Sequence, residues 1–193
     1  MKNLIKLIFF FIILALHSCN ERTTNKTVKK ITLAKYLALN LSGQVYFYAP
    51  ELDKNTCEAF GECDCCSGSL LFLNDNDFLT IDVCESDDWY YKGKYKIEND
   101  NVVLTFDSLM VEKNYNWEKE TDTTGTLTTE YIIKTSKTDK RISVLKRIVC
   151  DKNICFKTDD KRTNYVTLNK KQKLSDLIKQ LKDEGIWEKL EIK

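Results

Sequence analysis

From Val45 onward, apolar and polar residues alternate in short runs separated by turn residues. Val45, Phe47 and Ala49 alternate with Tyr46 and Tyr48. Leu70 to Leu73 runs into the turn Asn74-Asp75-Asn76-Asp77. Leu79, Ile81 and Val83 alternate with Thr80, Asp82 and Cys84. Tyr91, Gly93, Tyr95 and Ile97 alternate with lysines, and Asn99-Asp100-Asn101 turns the chain into Val102, Leu104 and Phe106. Further runs cover Leu109–Trp117, Leu127–Lys134, Arg141–Cys150, Cys155–Lys157 and Tyr165–Leu168. A period of two between short turns marks antiparallel strands. Sequential hairpins without crossover helices predict an all-β domain that closes into an up-and-down barrel or packs as a sandwich, and closure also removes unpaired sheet edges. The alternation puts Phe47, Phe72, Tyr91 and Tyr95 inside, where side chains fill a barrel of this size. It turns Tyr46, Tyr48 and the Thr80-Asp82-Cys84 face outward. Glu118 to Gly125 reads as a long polar hairpin loop.

Only the end of the chain changes period. Leu177, Ile178 and Leu181 share a helical stripe, with Ser175 as the expected N-cap and Gly185 as the stop, which predicts a short C-terminal helix. Trp187 and Leu190 add apolar surface, so this tail is expected to cover one end or side of the barrel. The other terminus carries Leu7 to Leu16, an unbroken apolar run behind Lys2 and Lys6. That is the length of a signal-peptide core and too short to span a bilayer. Leu16-His17-Ser18-Cys19 follows and resembles the lipobox of bacterial lipoproteins, which implies cleavage before Cys19 and lipidation of its sulfur. Two or more acyl chains anchor stably to a membrane. Asn20 behind it fits outer-membrane sorting in the lipoproteins it resembles. The organisation expected is a signal over 1–18, a polar tether over 19–30 and one barrel domain with its helical tail over 31–193. A short helix or turn over Thr32–Leu41 leads into the barrel.

The composition then narrows the chemistry. The chain has one histidine, His17, inside the segment to be removed. Ser-His-Asp and Cys-His nucleophile systems and histidine metal sites are therefore excluded from the mature chain. Its six glycines make no phosphate-cradling loop, so no nucleotide cofactor is expected. With 30 basic and 29 acidic residues, the charge gives no case for nucleic acid as a partner. A non-enzymatic protein without a cofactor is the expectation. Asp75 and Asp77 lack the glycine and distal glutamate of a calcium loop and read as a hairpin turn.

Cysteine usage is the feature that stands out. Beside Cys19 there are Cys57, Cys63, Cys65, Cys66, Cys84, Cys150 and Cys155. A secreted chain folds where disulfides persist. Cys150 and Cys155 bracket a short hairpin loop and are expected to pair. Of the other five one sulfur is left over; adjacent Cys65 and Cys66 should have different partners, one of them Cys84. Three readings of this group stay open: structural disulfides, a redox-active dithiol at the Cys63/Cys66 spacing, or a copper(I) or zinc thiolate site from Cys57, Cys63, Cys65 and Cys66. No resident metal is expected, because an oxidising compartment consumes exposed thiols; the Cys63/Cys66 pair is the alternative metal site.

The segment Cys63-Asp64-Cys65-Cys66-Ser67-Gly68, the strand LLFLNDNDF after it and the later YYKGKYKIENDNVVLTF resemble the N-terminal domain of NlpE-type outer-membrane lipoproteins. The resemblance covers Gly43 to Phe106, and the broader class of lipocalin-like bacterial lipoproteins fits nearly as well. It implies a lipocalin-like barrel and a role in copper resistance or envelope stress. The protein expected is a lipid-anchored envelope protein, facing the periplasm or the cell surface. It would bind or sense through its cysteine-rich loop, with an envelope protein as partner. The alternative is a carrier of a small apolar ligand inside the barrel.

Overall fold

The computed structural model describes residues 39–192, apart from residue 54 and segments 61–65, 85–86, 117–127, 136–140, 151–152 and 160–164. The signal, Cys19, the tether, Cys63, Cys65 and the 118–125 loop lie outside the described residues. So does most of the helix expected over 32–41, whose last three residues are not helical. The chain forms β1 (Val45–Ala49), β2 (Glu51–Leu52), β3 (Ala59–Phe60), β4 (Cys66–Phe72), β5 (Asp77–Cys84) and β6 (Asp87–Glu98). There follow β7 (Asn101–Asn116), β8 (Thr128–Thr135), β9 (Ile142–Cys150), β10 (Asn153–Lys157), β11 (Tyr165–Leu168), α1 (Leu174–Asp183) and α2 (Ile186–Lys189).

Eight strands close into an antiparallel, lipocalin-like barrel, in the spatial order β6-β5-β4-β1-β11-β10-β9-β7, with β6 pairing back to β7. The two runs expected over Val102–Phe106 and Leu109–Trp117 are one strand, because β7 serves two neighbours. Val102–Thr105 pairs with β9, and Leu109–Asn116 pairs with β8, which lies outside the closed ring. A register shift between Tyr91 and Gly93 bends β6 at the closure. Gly93 is required there: a Cβ would stand 2.2 Å from the Thr105 carbonyl oxygen and 2.7 Å from the Phe78 ring.

Which face of each strand points inward is where the structure corrects the alternation. Cross-strand partners Tyr46, Leu70, Thr80 and Tyr91 form one continuous row. Rings on that face meet across non-adjacent strands, so it is the barrel interior. Tyr46 lies 5.6 Å from both Phe72 and Phe156, and Phe72 lies 4.8 Å from Tyr95. Phe78 meets Phe106 at 5.0 Å, and Arg141 sits 4.1 Å over Phe106, below the aromatic column. Tyr46, Phe72, Phe78, Tyr95, Leu104 and Phe156 are all buried. The polar ends of the column are satisfied: Tyr46 donates to Gln44 Oε1 and Tyr95 to the Asn74 carbonyl. The interior is filled rather than hollow.

Thus Tyr46 points in and Phe47 out, the reverse of the expectation, and Thr80 faces the interior. The reason is that the outer face is apolar too. Val45, Leu71, Leu79, Tyr90 and Val111 pack under Leu177, Leu181, Ile186 and Leu190 of the C-terminal tail. The tail therefore lies along the barrel wall. Gly185, at φ 70°, turns α1 into α2, a left-handed conformation that glycine adopts without strain. Helix α1 begins at Leu174 with Lys173 as N-cap, not Ser175. Tyr131 fixes it further by donating to Glu184 Oε2 at 2.7 Å.

Candidate functional site: a buried three-cysteine cluster

The site is made by a hairpin that the alternation did not announce. Pro50 ends β1, since proline has no N–H with which to extend the ladder. The chain doubles back as β2 and β3, which pair Glu51 with Phe60 and Leu52 with Ala59. Asp53 organises the turn. Its Oδ1 accepts from the Asn55 and Thr56 amides at 2.7 and 2.9 Å, and its carbonyl accepts from the Cys57 amide. These bonds hold the Asp53 carboxyl below the usual aspartate range, the Thr56 amide contributing most. They also place Cys57 at φ 58°, a left-handed position uncommon for a residue with a side chain.

Strands β9 to β11 supply the other wall. Cys155 stands opposite both Ile148 and Thr167, and Thr167 stands opposite Phe47, along the outer face of the barrel. The hairpin docks there through its backbone: Thr167 Oγ1 donates to the Cys57 carbonyl, and Asn153 Nδ2 donates to the Thr56 carbonyl, each at 2.8 Å. Leu52 and Ile148 pack against the cysteines.

Cys57 and Cys150 are joined by a disulfide, with Cα atoms 5.4 Å apart. Cys155 is a free, buried thiol whose Sγ lies 2.9 Å from Cys57 Sγ and 3.9 Å from Cys150 Sγ. The expected Cys150–Cys155 disulfide is therefore not formed. The register explains why: Cys150 stands opposite Asn153, and Cys155 opposite Ile148. The two cysteines share a face but sit diagonally, where Cα atoms are roughly 7–8 Å apart, beyond ordinary disulfide reach. Sequence proximity groups Cys57 with the Cys63–Cys66 loop, but the hairpin carries it to β9 instead.

Cys84 belongs to the opposite face. It ends the Thr80-Asp82 row, is disulfide-bonded, and lies across the ladder from Cys66. Cys84 is bridged, and the cysteines expected to partner it, Cys65 and Cys66, have side chains outside the described residues. Among the described residues, cysteines thus occur at two places, one on the outer wall and one at the inner row's end.

Beside the trio, the hairpin overhangs a cleft of about 670 Å³, with Phe47, Ser69 and Ile154 in its walls and Lys170 and Lys171 at its edge. Its walls draw on both registers, outward-facing Phe47, Ser69 and Thr167 and inward-facing Tyr48, Gly68 and Ile154. Among the described residues, Cys57, Cys150 and Cys155 are the group whose ligand atoms come close enough to hold a metal ion, all within 4.8 Å. The Cys63/Cys66 alternative lies outside the described side chains.

Burial pushes the Cys155 thiol up from 9.0 to about 11. The Tyr46 hydroxyl rises to about 12, first through burial and then through the nearby Cys155 charge. Both groups keep their protons in the folded state at pH values where the unfolded chain releases them. Their contribution to stability is complete below pH 9 and is lost as the pH rises through about 11 and 12. The urea midpoint should therefore fall steeply above pH 9. Cys155→Ala should remove the earlier part of that fall. A midpoint unchanged between pH 8 and pH 11 would contradict the burial of both groups.

Fold and cluster together define a class: a small lipocalin-like β-barrel with a filled interior and cysteines stapling its outer wall. Comparison with family models, with curated proteins and with solved structures gives no match.

Proposed function

We propose that this chain is a lipid-anchored protein of the bacterial envelope that senses redox conditions or binds a protein partner through its cysteine-bearing wall, without catalysis. One observation carries the reading: the barrel is filled by its own aromatic side chains, while Cys57, Cys150 and Cys155 gather on its wall. A filled interior speaks against the small-ligand carrier. A disulfide beside a free thiol suits a protein whose state follows the redox poise of its surroundings. The backbone register supports Cys66 as the partner of Cys84. The sequence resemblance to NlpE-type lipoproteins points the same way, and the anchor would be acylated Cys19 on the outer membrane.

Two measurements test this. Cys19→Ala should abolish acyl labelling and move the protein from the membrane to the soluble envelope fraction. A variant that stays uncleaved and membrane-bound would replace the lipoprotein reading with a retained helix. For the sensing role, thiols would be trapped by alkylation in intact cells before and after a reductant or oxidant challenge. Cys57 and Cys84 should be bridged at rest, and the pattern should change on challenge. An unchanging map would leave the disulfides purely structural.

A further inference from the structure

The disulfide joins two of three sulfurs that are nearly equivalent in position, and that is unusual for a plain staple. Cys57, Cys150 and Cys155 are buried to within 2% of full exclusion from solvent. The free sulfur lies closer to Cys57 than to Cys150, 2.9 Å against 3.9 Å. Cys57 is held in place independently of its side chain, by the Asp53 turn, by Thr167 on its carbonyl and by Asn153 on Thr56. Moving the bond from one neighbouring strand to the other therefore leaves the hairpin docked.

We propose that these three cysteines form an internal thiol–disulfide exchange site, in which Cys155 attacks Cys57 and the hairpin's staple passes from β9 to β10. Cys155 first loses its thiol proton. Its sulfur lone pair then forms the Cys155–Cys57 bond as the Cys57–Cys150 bond breaks. The released electron pair stays on Cys150, which takes up a proton. One disulfide and one thiol are present before and after, so no oxidant or reductant is consumed. Cys57 is the shared partner in both isomers. The direct Cys150–Cys155 bond is disfavoured by their diagonal register. Cys155 is thus a resident thiol that can also resolve a mixed disulfide formed on Cys57 by a small thiol, re-forming the staple without outside help.

This deepens the redox reading above and rests on it only for its biological meaning; the chemistry is tested on purified protein. Wild type, Cys150→Ser and Cys57→Ser would be folded in a glutathione redox buffer, quenched in acid, alkylated in denaturant and mapped by peptide mass spectrometry. Cys150→Ser should contain a Cys57–Cys155 disulfide in most molecules. Cys57→Ser should leave Cys150 and Cys155 both alkylated. Wild type held without glutathione at pH 9 should acquire the Cys57–Cys155 peptide and an equal amount of alkylated Cys150. A folded Cys150→Ser protein with Cys57 and Cys155 free overturns the proposal. If that variant does not fold, wild type decides: a map holding only Cys57–Cys150 after incubation at pH 9 overturns it equally. Exchange in the tube with an unresponsive map in cells would sink the sensing role and leave the exchange standing.

Discussion

Cys57→Ala should cost about 4–5 kcal/mol of stability, the loop-closure value for a bridge between residues 93 apart in sequence. The bridge ties the β2–β3 hairpin to β9, so the unfolded chain it constrains contains most of the barrel. Cys150→Ala should cost clearly less, because Cys155 offers Cys57 a second partner. The pair of variants separates a staple from a shared one. Oxidised wild type and both variants would be unfolded in urea at pH 7. Equal losses for the two substitutions would mean that Cys155 does not substitute for Cys150. Hydrogen exchange should place the extra opening of Cys57→Ala in Glu51–Phe60 and in the facing amides of β10 and β11, while β4 to β7 keep their protection.

Phe72→Ala should be nearly as damaging, at roughly 3–5 kcal/mol for emptying a fully buried phenylalanine site. Phe72 is 0% exposed and touches both Tyr46 and Tyr95, which arrive from other strands of the ring. Those two rings have hydrogen bonds at their hydroxyl ends and cannot swing freely into the gap. A dry cavity should remain, and the variant should take up a small apolar probe that wild type excludes. Urea unfolding measures the loss, and calorimetry with an apolar probe such as benzene measures the uptake. A loss under about 1 kcal/mol, or probe uptake by wild type, would show that the interior has room, and the carrier reading would return.

The alternation between Val45 and Leu168 was sufficient for strand existence and for the antiparallel, up-and-down order. Turn residues at Asn74–Asp77 and Asn99–Asn101 placed hairpins where the structure has them. The same alternation misjudged which face is inside. In β1 and β5 both faces carry large apolar groups. In such strands the period is visible while its phase is not, since one apolar set fills the barrel and the other lies under α1. Thr80 shows the effect: a polar residue by pattern, 1% exposed in the structure. The short β2–β3 pairing escaped because two-residue strands carry no period, although Pro50 marked the break before them.

The disulfide pairing was equally out of reach from sequence. Cys150 and Cys155 are five positions apart, and a tight hairpin between them suggested a bridge. Which residues stand opposite one another depends on the turn, and here the turn sets Cys150 against Asn153. The true partner, Cys57, lies 93 positions away and reaches β9 only because the hairpin folds over the wall.

Strands in hairpin order, an amphipathic C-terminal helix and an exceptional stock of cysteine were legible from the residues alone, because period and composition are local quantities. Folding was needed to set which aromatic residues fill the barrel, to lay the helix along its wall, and to bring three cysteines from two distant parts of the chain into one buried cluster. Those outcomes depend on which surfaces are buried against each other, and burial between residues far apart in sequence is settled by the closed ring of strands, not by any stretch of it.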